Sequence, residues 1–362
     1  MSDSFRFGLE AEFMLASAKD YRPLWYKDVT FAALDRIFRG IPLGGLPSLE
    51  GLAAERPHQT ITPFVVEGYD IWDESSQIID SHPKGIEIRT PVCESLEQVL
   101  SVYEDLYSRL KVALAREDLI PVAISHHPLE NKFSGPQGKR RHDVWLWAME
   151  VMTTYGPDIN VSFPRKITEE LFSDVEDLHA KVNYYAPAMV AISLSSPFSG
   201  GKPWIVKGVH GKSYRTFKRS TVAPLIELHP SARHRIELKA FDMSDRTRDF
   251  QVYFLLVLAL FLDQGLSGRA TPQERIYDCG NVARFGLGAE GMRERFLELY
   301  RRAPRVLGDH GFNPTPLEDL CARIETSRTP SDDMLALYAQ GRTVNEIMRE
   351  YSTLETLEGR RI

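Results

Sequence analysis

Phe5-Arg6-Phe7-Gly8-Leu9-Glu10-Ala11-Glu12-Phe13 alternates apolar and polar side chains without a break. In a strand, successive side chains point to opposite faces. Phe5, Phe7, Leu9, Ala11 and Phe13 then face a core, while Arg6, Gly8, Glu10 and Glu12 face away from it. Two carboxylates lie on that second face, about 7 Å apart along the strand. By itself this also describes an ordinary strand with a solvated charged side.

The pattern recurs in three more places. In Gly85-Ile86-Glu87-Ile88-Arg89, the isoleucines alternate with Glu87 and Arg89. In Asp158-Ile159-Asn160-Val161-Ser162-Phe163, the apolar set alternates with Asp158, Asn160 and Ser162. In Arg235-Ile236-Glu237-Leu238-Lys239, Ile236 and Leu238 alternate with Glu237 and Lys239. Four such strands sharing a sheet would gather their acids on one face. Clustered like charges repel unless a cation holds them. A hard divalent ion bound by carboxylate oxygens, with substrate phosphates as further ligands, would do so.

Strands are expected at residues 4–14, 77–89, 120–125, 158–163 and 235–241. Helices are expected at 30–38, 96–116, 144–153, 169–195 with a break near Pro187, 249–265, 291–302, 317–325, 331–340 and 344–351. The segment from 96 shows the helical period, with Leu96, Val99, Leu100, Tyr103, Leu106, Leu110 and Val112 among its apolar face, and Ser95 and Gln98 spaced as a capping box. The strands lack a regular βαβ rhythm. The fold class is therefore α+β: one antiparallel sheet with its site on one face and helices on the other. Residues 1–290 read as the catalytic domain, and 291–362 as a helical region on the same core.

The chain has 362 residues, 43% of them hydrophobic and 26% charged, which argues against disorder. A net charge of −6 with dispersed Lys and Arg excludes a nucleic-acid or anionic-membrane partner as the default. The one basic run, Lys139-Arg140-Arg141-His142, reads as a solvated loop. Cys93, Cys279 and Cys321 are too few and too far apart for a disulfide framework or a zinc site. The start, MSDSFRFGLE, has no apolar segment of the signal-peptide kind. The longest apolar run, 252–262, is far short of the ~20 residues of a membrane span and reads as a buried helix. A cytoplasmic enzyme is expected. Gly44-Gly45 and Gly200-Gly201 lack the Gly-Lys-Ser/Thr ending of a phosphate loop, and Ser195-Ser196 form no nucleophile elbow.

Gly8–Phe13 resembles the G-x-E-x-E-F start of the glutamate–cysteine ligase type 2 group of carboxylate–amine ligases. Asp80-Ser81-His82-Pro83-Lys84-Gly85-Ile86-Glu87-Ile88-Arg89-Thr90-Pro91 resembles the group's second acidic strand. Ala191-Ile192-Ser193-Leu194-Ser195-Ser196-Pro197 resembles its small-residue segment, and Arg235–Asp242 its I-E-V-R-x-x-D strand. Asn281-Val282-Ala283-Arg284-Phe285-Gly286-Leu287 is a looser match. The resemblance implies a fold like the catalytic domain of glutamine synthetase.

It also implies a site. Glu10, Glu12, Asp80, Glu87 and Glu237 match positions that hold metal ions bridging ATP phosphates. Asp158 stands where the group usually has His, and as an added carboxylate it favours Mg2+ or Mn2+ over zinc. Lys239 stands where the group has Arg. Glu87, Lys239 and Arg215 are the implied catalytic groups, and Lys239, Arg215 and Arg284 the implied contacts to ATP phosphates. His127, before Pro128, resembles a His-Pro pair of the group. The implied cofactors are ATP and two or three Mg2+ ions, with Mn2+ as substitute. The implied reaction joins a carboxylate, the γ-carboxyl of glutamate, to an amine such as cysteine through an acyl phosphate. Expected partners are small amino acids or a peptide substrate, with no nucleic acid and no membrane; a homodimer is one expected assembly. Removing Glu12 or Glu237 is expected to end turnover and leave the fold intact. The alternatives are a guanidino-kinase type phosphotransferase and a non-catalytic relative that binds nucleotide or peptide.

Overall fold

Seven strands pair antiparallel in a single sheet: β1 (Arg6–Ser17), β2 (Phe64–Trp72), β3 (Ile78–Arg89), β4 (Leu119–Val122), β5 (Pro157–Ser162), β6 (Ile226–His229) and β7 (Arg235–Leu238). Their order is β6-β7-β5-β1-β3-β2, with β4 on the far end of β1. The computed structural model describes residues 4–221, 224–229 and 235–362. Phe7, Leu9, Ala11 and Phe13 of β1 are buried, as the alternation requires, and their polar neighbours are half-buried on the other face.

The core lies behind that sheet. Helix α1 (Phe31–Arg39) and α2 (Leu96–Ala115) pack there. Nine side chains of α2 are buried, from Leu96 to Leu114, each worth roughly 1.5–3 kcal/mol if fully removed from water. Val112, expected on that stripe, is instead 56% exposed. Ser95 caps the Gln98 N–H at 3.1 Å, but the Gln98 side chain reaches past it to the Glu94 N–H, so the box is only half closed. After α3 (His142–Val151) come α4 (Arg165–Leu171) and α5 (Val175–Val190). The expected single helix breaks before α5, not at Pro187, because Asp174 caps a new helix through the Asp177 N–H at 2.9 Å.

A short α6 (Tyr214–Arg219) precedes the β6–β7 hairpin. Then α7 (Thr247–Leu262) runs through the centre, apolar on every side and nearly all buried. No described helix is long and apolar enough to cross a membrane. Helix α8 (Pro272–Phe285), not expected, starts with a full capping box of Thr271 and Glu274 and a proline in its first turn. Helices α9 (Met292–Asp309), α10 (Cys321–Thr326), α11 (Pro330–Ala339) and α12 (Val344–Glu350) close the chain. Phe296, Leu307, Met334 and Ile347 from them join the same core as β1.

Candidate active site

Cross-strand register sets the polar face of the sheet. On β1, Glu10 stands between Asp158 of β5 and Arg89 of β3, and Glu12 stands opposite Glu87. One step toward the edge, Asn160 pairs with Gly8 on one side and Glu237 on the other. Glu227 of β6 faces Glu237. Glu67 of β2 lies opposite Gly85, beside Glu87. The carboxylate oxygens of Glu10, Glu87 and Asp158 lie within 4.8 Å of one another, as do those of Glu12, Glu67 and Glu87.

Six carboxyl groups here (Glu10, Glu12, Glu67, Glu87, Asp158, Glu237) meet four cations in ion-pair range. Lys84 is 2.6 Å from Glu12 and 3.6 Å from Glu67. Arg89 contacts Glu87, and at 3.8 Å both Glu10 and Glu67. Arg235 bridges Glu10 at 3.5 Å and Glu237 at 3.2 Å. Lys239 bridges Asp158 at 2.8 Å and Glu237. Acids outnumber cations on this face, and Glu55, which also pairs with Arg89, and Glu227 opposite Glu237 add to the excess. Burial lifts Glu10 and Glu67 to about 7 and Asp158 to about 6, and raises Glu87 as well. Glu12 and Glu237 are also desolvated, yet their lysine partners hold them below the ordinary carboxyl range. Four desolvated acids thus lack enough positive charge, and all donors are oxygen. That is the setting a hard divalent cation fits.

A family profile described as glutamate-cysteine ligase family 2 matches residues 6–215, which carry β1, β3, β5 and most of these acids. The chain belongs to that family. Solved structures share the fold of this family member. A bifunctional glutathione synthetase from Pasteurella multocida superposes with a TM-score of 0.62 at 11% identity, covering 97% of this chain and 52% of that one. The chain thus spans about half the length of that relative. Glutamate–cysteine ligase from Francisella tularensis, solved with AMP, gives 0.61 at 12% identity over 97% of this chain and 88% of that one. The ligase PafA, solved with the ubiquitin-like protein Pup, gives 0.50 at 14% identity over 96% and 67%. No curated protein matches the sequence.

In this family member, Glu10, Glu12, Glu87, Asp158, Glu237 and Lys239 come together on one face. Asp80 does not. It lies on β3 seven residues before Glu87, about 20 Å along the strand at ~3.3 Å per residue, exposed, and its carboxylate accepts the Ser81 N–H. Arg215 is near the face, and its two terminal nitrogens are occupied while its buried Nε is unpartnered. It donates to the carbonyls of Ala240 and Lys239 at 3.0 and 3.1 Å and lies 3.6 Å from the buried Asp242 carboxylate. These bonds hold the main chain of Lys239. The strand β7 ends at Leu238, shorter than expected, although the Lys239 N–H still donates to the Leu225 carbonyl at 2.9 Å. A Cβ on Gly156 would lie 2.1 Å from the Arg215 guanidinium, so a side chain there would displace it from its bonds. Arg284 stacks on Phe217 of α6, its guanidinium 5.7 Å from the ring centre, and contacts none of the acids. His127 is buried, with its Nδ1 accepting the Glu130 N–H at 3.0 Å. Glu12 partners the buried Lys84 and Glu237 the half-buried Lys239, so removing either leaves a cation without its anion, at odds with the fold-neutral behaviour expected.

Four participants carried no expectation: Glu67, Lys84, Arg235 and His229, whose Nε2 lies 2.8 Å from Glu237. Phe64-Val65-Val66-Glu67 is rich in strand formers but does not alternate, so no period-two pattern placed Glu67 on the acid face. Metal-free protein is expected to gain stability as the pH falls from 8 to 6.5. Glu10 and Glu67 titrate near 7 when folded and near 4.5 when unfolded, so the folded state takes up protons first in this window. A melting-temperature rise on the order of a few degrees is expected, and saturating Mn2+ should cancel it. The reverse slope would refute the charge surplus.

Proposed function

We propose that the acid-lined face binds a nucleoside triphosphate with a divalent cation and joins a carboxylate to an amine. The observation that carries this reading is the surplus of desolvated carboxylates around Glu10, Glu87 and Asp158, on a fold shared with such ligases. Glu10, Glu87 and Asp158 would hold the cation, which when bound neutralises the phosphates and the phosphoryl group in transfer. Lys239, fixed between Asp158 and Glu237, places an ammonium beside the same oxygens. A cavity of about 530 Å3 adjoins this point, lined by Arg6, Gly8, Glu10, Asn160 and Arg235. Gly8 leaves its floor open, and its arginines, paired in this state with glutamates, would turn to a substrate carboxylate on binding.

A carboxylate oxygen attacks the γ-phosphorus of ATP, and the bond to ADP breaks. The amine then attacks the acyl phosphate carbon. The C–N bond forms, the C–O bond to phosphate breaks, and phosphate and a proton leave. The protein's part is orientation and charge neutralisation, with no covalent nucleophile. By family, the acid is glutamate at its γ-carboxyl and the amine an amino acid such as cysteine, in the cytoplasm. The Pup ligase among the similar structures makes a peptide the second substrate class.

The test is ADP release with ATP, Mg2+ and a panel of amino acids and peptides. Sustained ADP release is expected only with an acid–amine pair, with amide formed in equal amount. A stable phosphorylated guanidine in place of an amide would support the phosphotransferase instead.

A further inference from the structure

Lys84 sits at an irregularity of the sheet. Glu67 pairs with Gly85 and Gly68 with Pro83, so Lys84 is the extra residue of a bulge on β3. A bulge re-aims one side chain relative to strict alternation. Without it, Lys84 and its neighbour Gly85 would face opposite sides, and Lys84 would point into the core. With it, the Lys84 side chain turns onto the acid face. The bulge is crowded into place: a Cβ on Gly68 would lie 2.3 Å from the His82 carbonyl oxygen, and one on Gly85 2.2 Å from that of Phe13. The Tyr155 hydroxyl donates to the Lys84 carbonyl at 2.7 Å and fixes its main chain.

The ammonium is 5% exposed by residue and ringed by oxygens. It donates to Glu12 Oε1 at 2.6 Å and to the Thr154 carbonyl at 3.0 Å, and lies 3.6 Å from Glu67 Oε2. The other oxygen of Glu12 accepts the Gly156 N–H at 2.9 Å. Both Glu12 oxygens are thus taken by protein donors. The Glu10–Glu87–Asp158 group differs. The contacts of Glu10 are long, 3.4 to 3.8 Å, and Glu87 and Asp158 meet Arg89 and Lys239 through Oε2 and Oδ2.

We propose that the Lys84 ammonium is the resident cation of the Glu12–Glu67–Glu87 group, so that, of the two groups sharing Glu87, a divalent metal ion binds only at Glu10–Glu87–Asp158. The inference rests on the metal-dependent reading above, and deepens it: the number of metal ions is set by a lysine built into a bulge, and the second metal position is filled by the protein itself.

The test counts bound Mn2+ by electron paramagnetic resonance, with Mn2+ as the only added ligand. One ion is expected in the native protein, lost in Asp158→Asn. Glu67→Gln, in the otherwise native chain, is expected to leave the count at one. Lys84→Met removes the resident charge and is expected to raise the count to two, and Glu67→Gln added to it should return the count to one. The proposal is overturned if Glu67→Gln alone loses an ion, or if folded Lys84→Met gains none. Should Lys84→Met fail to fold, the Glu67→Gln count decides alone. A native protein that binds no Mn2+ overturns the metal-dependent reading itself, and this inference with it.

Discussion

Glu10→Gln is expected to cut ATP-dependent ligation by at least about 100-fold, the scale of losing one preorganised charge contact to a transition state, while raising the melting temperature of the metal-free protein. Both effects follow from one cause. Glu10 is a desolvated acid near 7 whose cations are all more than 3 Å away. As a metal ligand it is needed, and in the metal-free fold its charge is a burden. Glu12→Gln is the control, with the opposite sign on stability. It leaves the buried Lys84 ammonium without its closest anion, at 2.6 Å. Breaking a buried pair from one side costs about 3–5 kcal/mol. Parallel thermal melts and ADP-release assays separate the two. A Glu10→Gln protein that melts lower than the native one, or turns over at its rate, would remove Glu10 from the site.

Arg215→Ala is expected to destabilise the fold by about 3–5 kcal/mol, because it strands the Asp242 carboxylate, fully buried, without its cation. The loss should appear as a shifted midpoint in urea. The carbonyls of Lys239 and Ala240 lose their donors at the same time, so the Lys239 ammonium loses its fixed place beside Asp158. Arg215 then acts by positioning. Its substitution should raise the ATP concentration needed for half-maximal rate more than it changes the requirement for the acid substrate. A change of less than about 1 kcal/mol in stability would refute the role assigned to the guanidinium.

The alternation in β1, β3, β5 and β7 was legible because each strand is regular where its acids stand. Period-two patterning placed Glu10, Glu12, Glu87, Asp158, Glu237 and Lys239 on one side, and the register then joined them. What was not legible depends on contacts between segments distant in sequence. Lys84 reads as core-facing until the bulge is seen, and the bulge arises from the pairing of β2 with β3. Glu67 follows three successive buried residues, Phe64, Val65 and Val66, so its strand shows no period. Asp80 lies on the same strand as Glu87 but well along it, and sequence proximity was a poor guide to distance. The partners of Arg215 are main-chain carbonyls, which no side-chain pattern reveals. Helix α8, by contrast, announces itself through Thr271, Pro272 and Glu274, and its start was available to be read.

The pairing of Glu10 with Asp158 and Arg89, and of Glu12 with Glu87, gives the central strand only two settings. Deleting or inserting one residue between Arg6 and Phe13 would trade phenylalanines for glutamates across the sheet, burying the acids in the core and exposing the aromatic rings. Point substitutions at this strand therefore vary the chemistry by degrees, whereas a single-codon indel erases site and core in one step. Length here is under tighter constraint than composition, and variation among natural versions of this chain should accumulate as exchanges within the strand, with gaps confined to the loops beyond it.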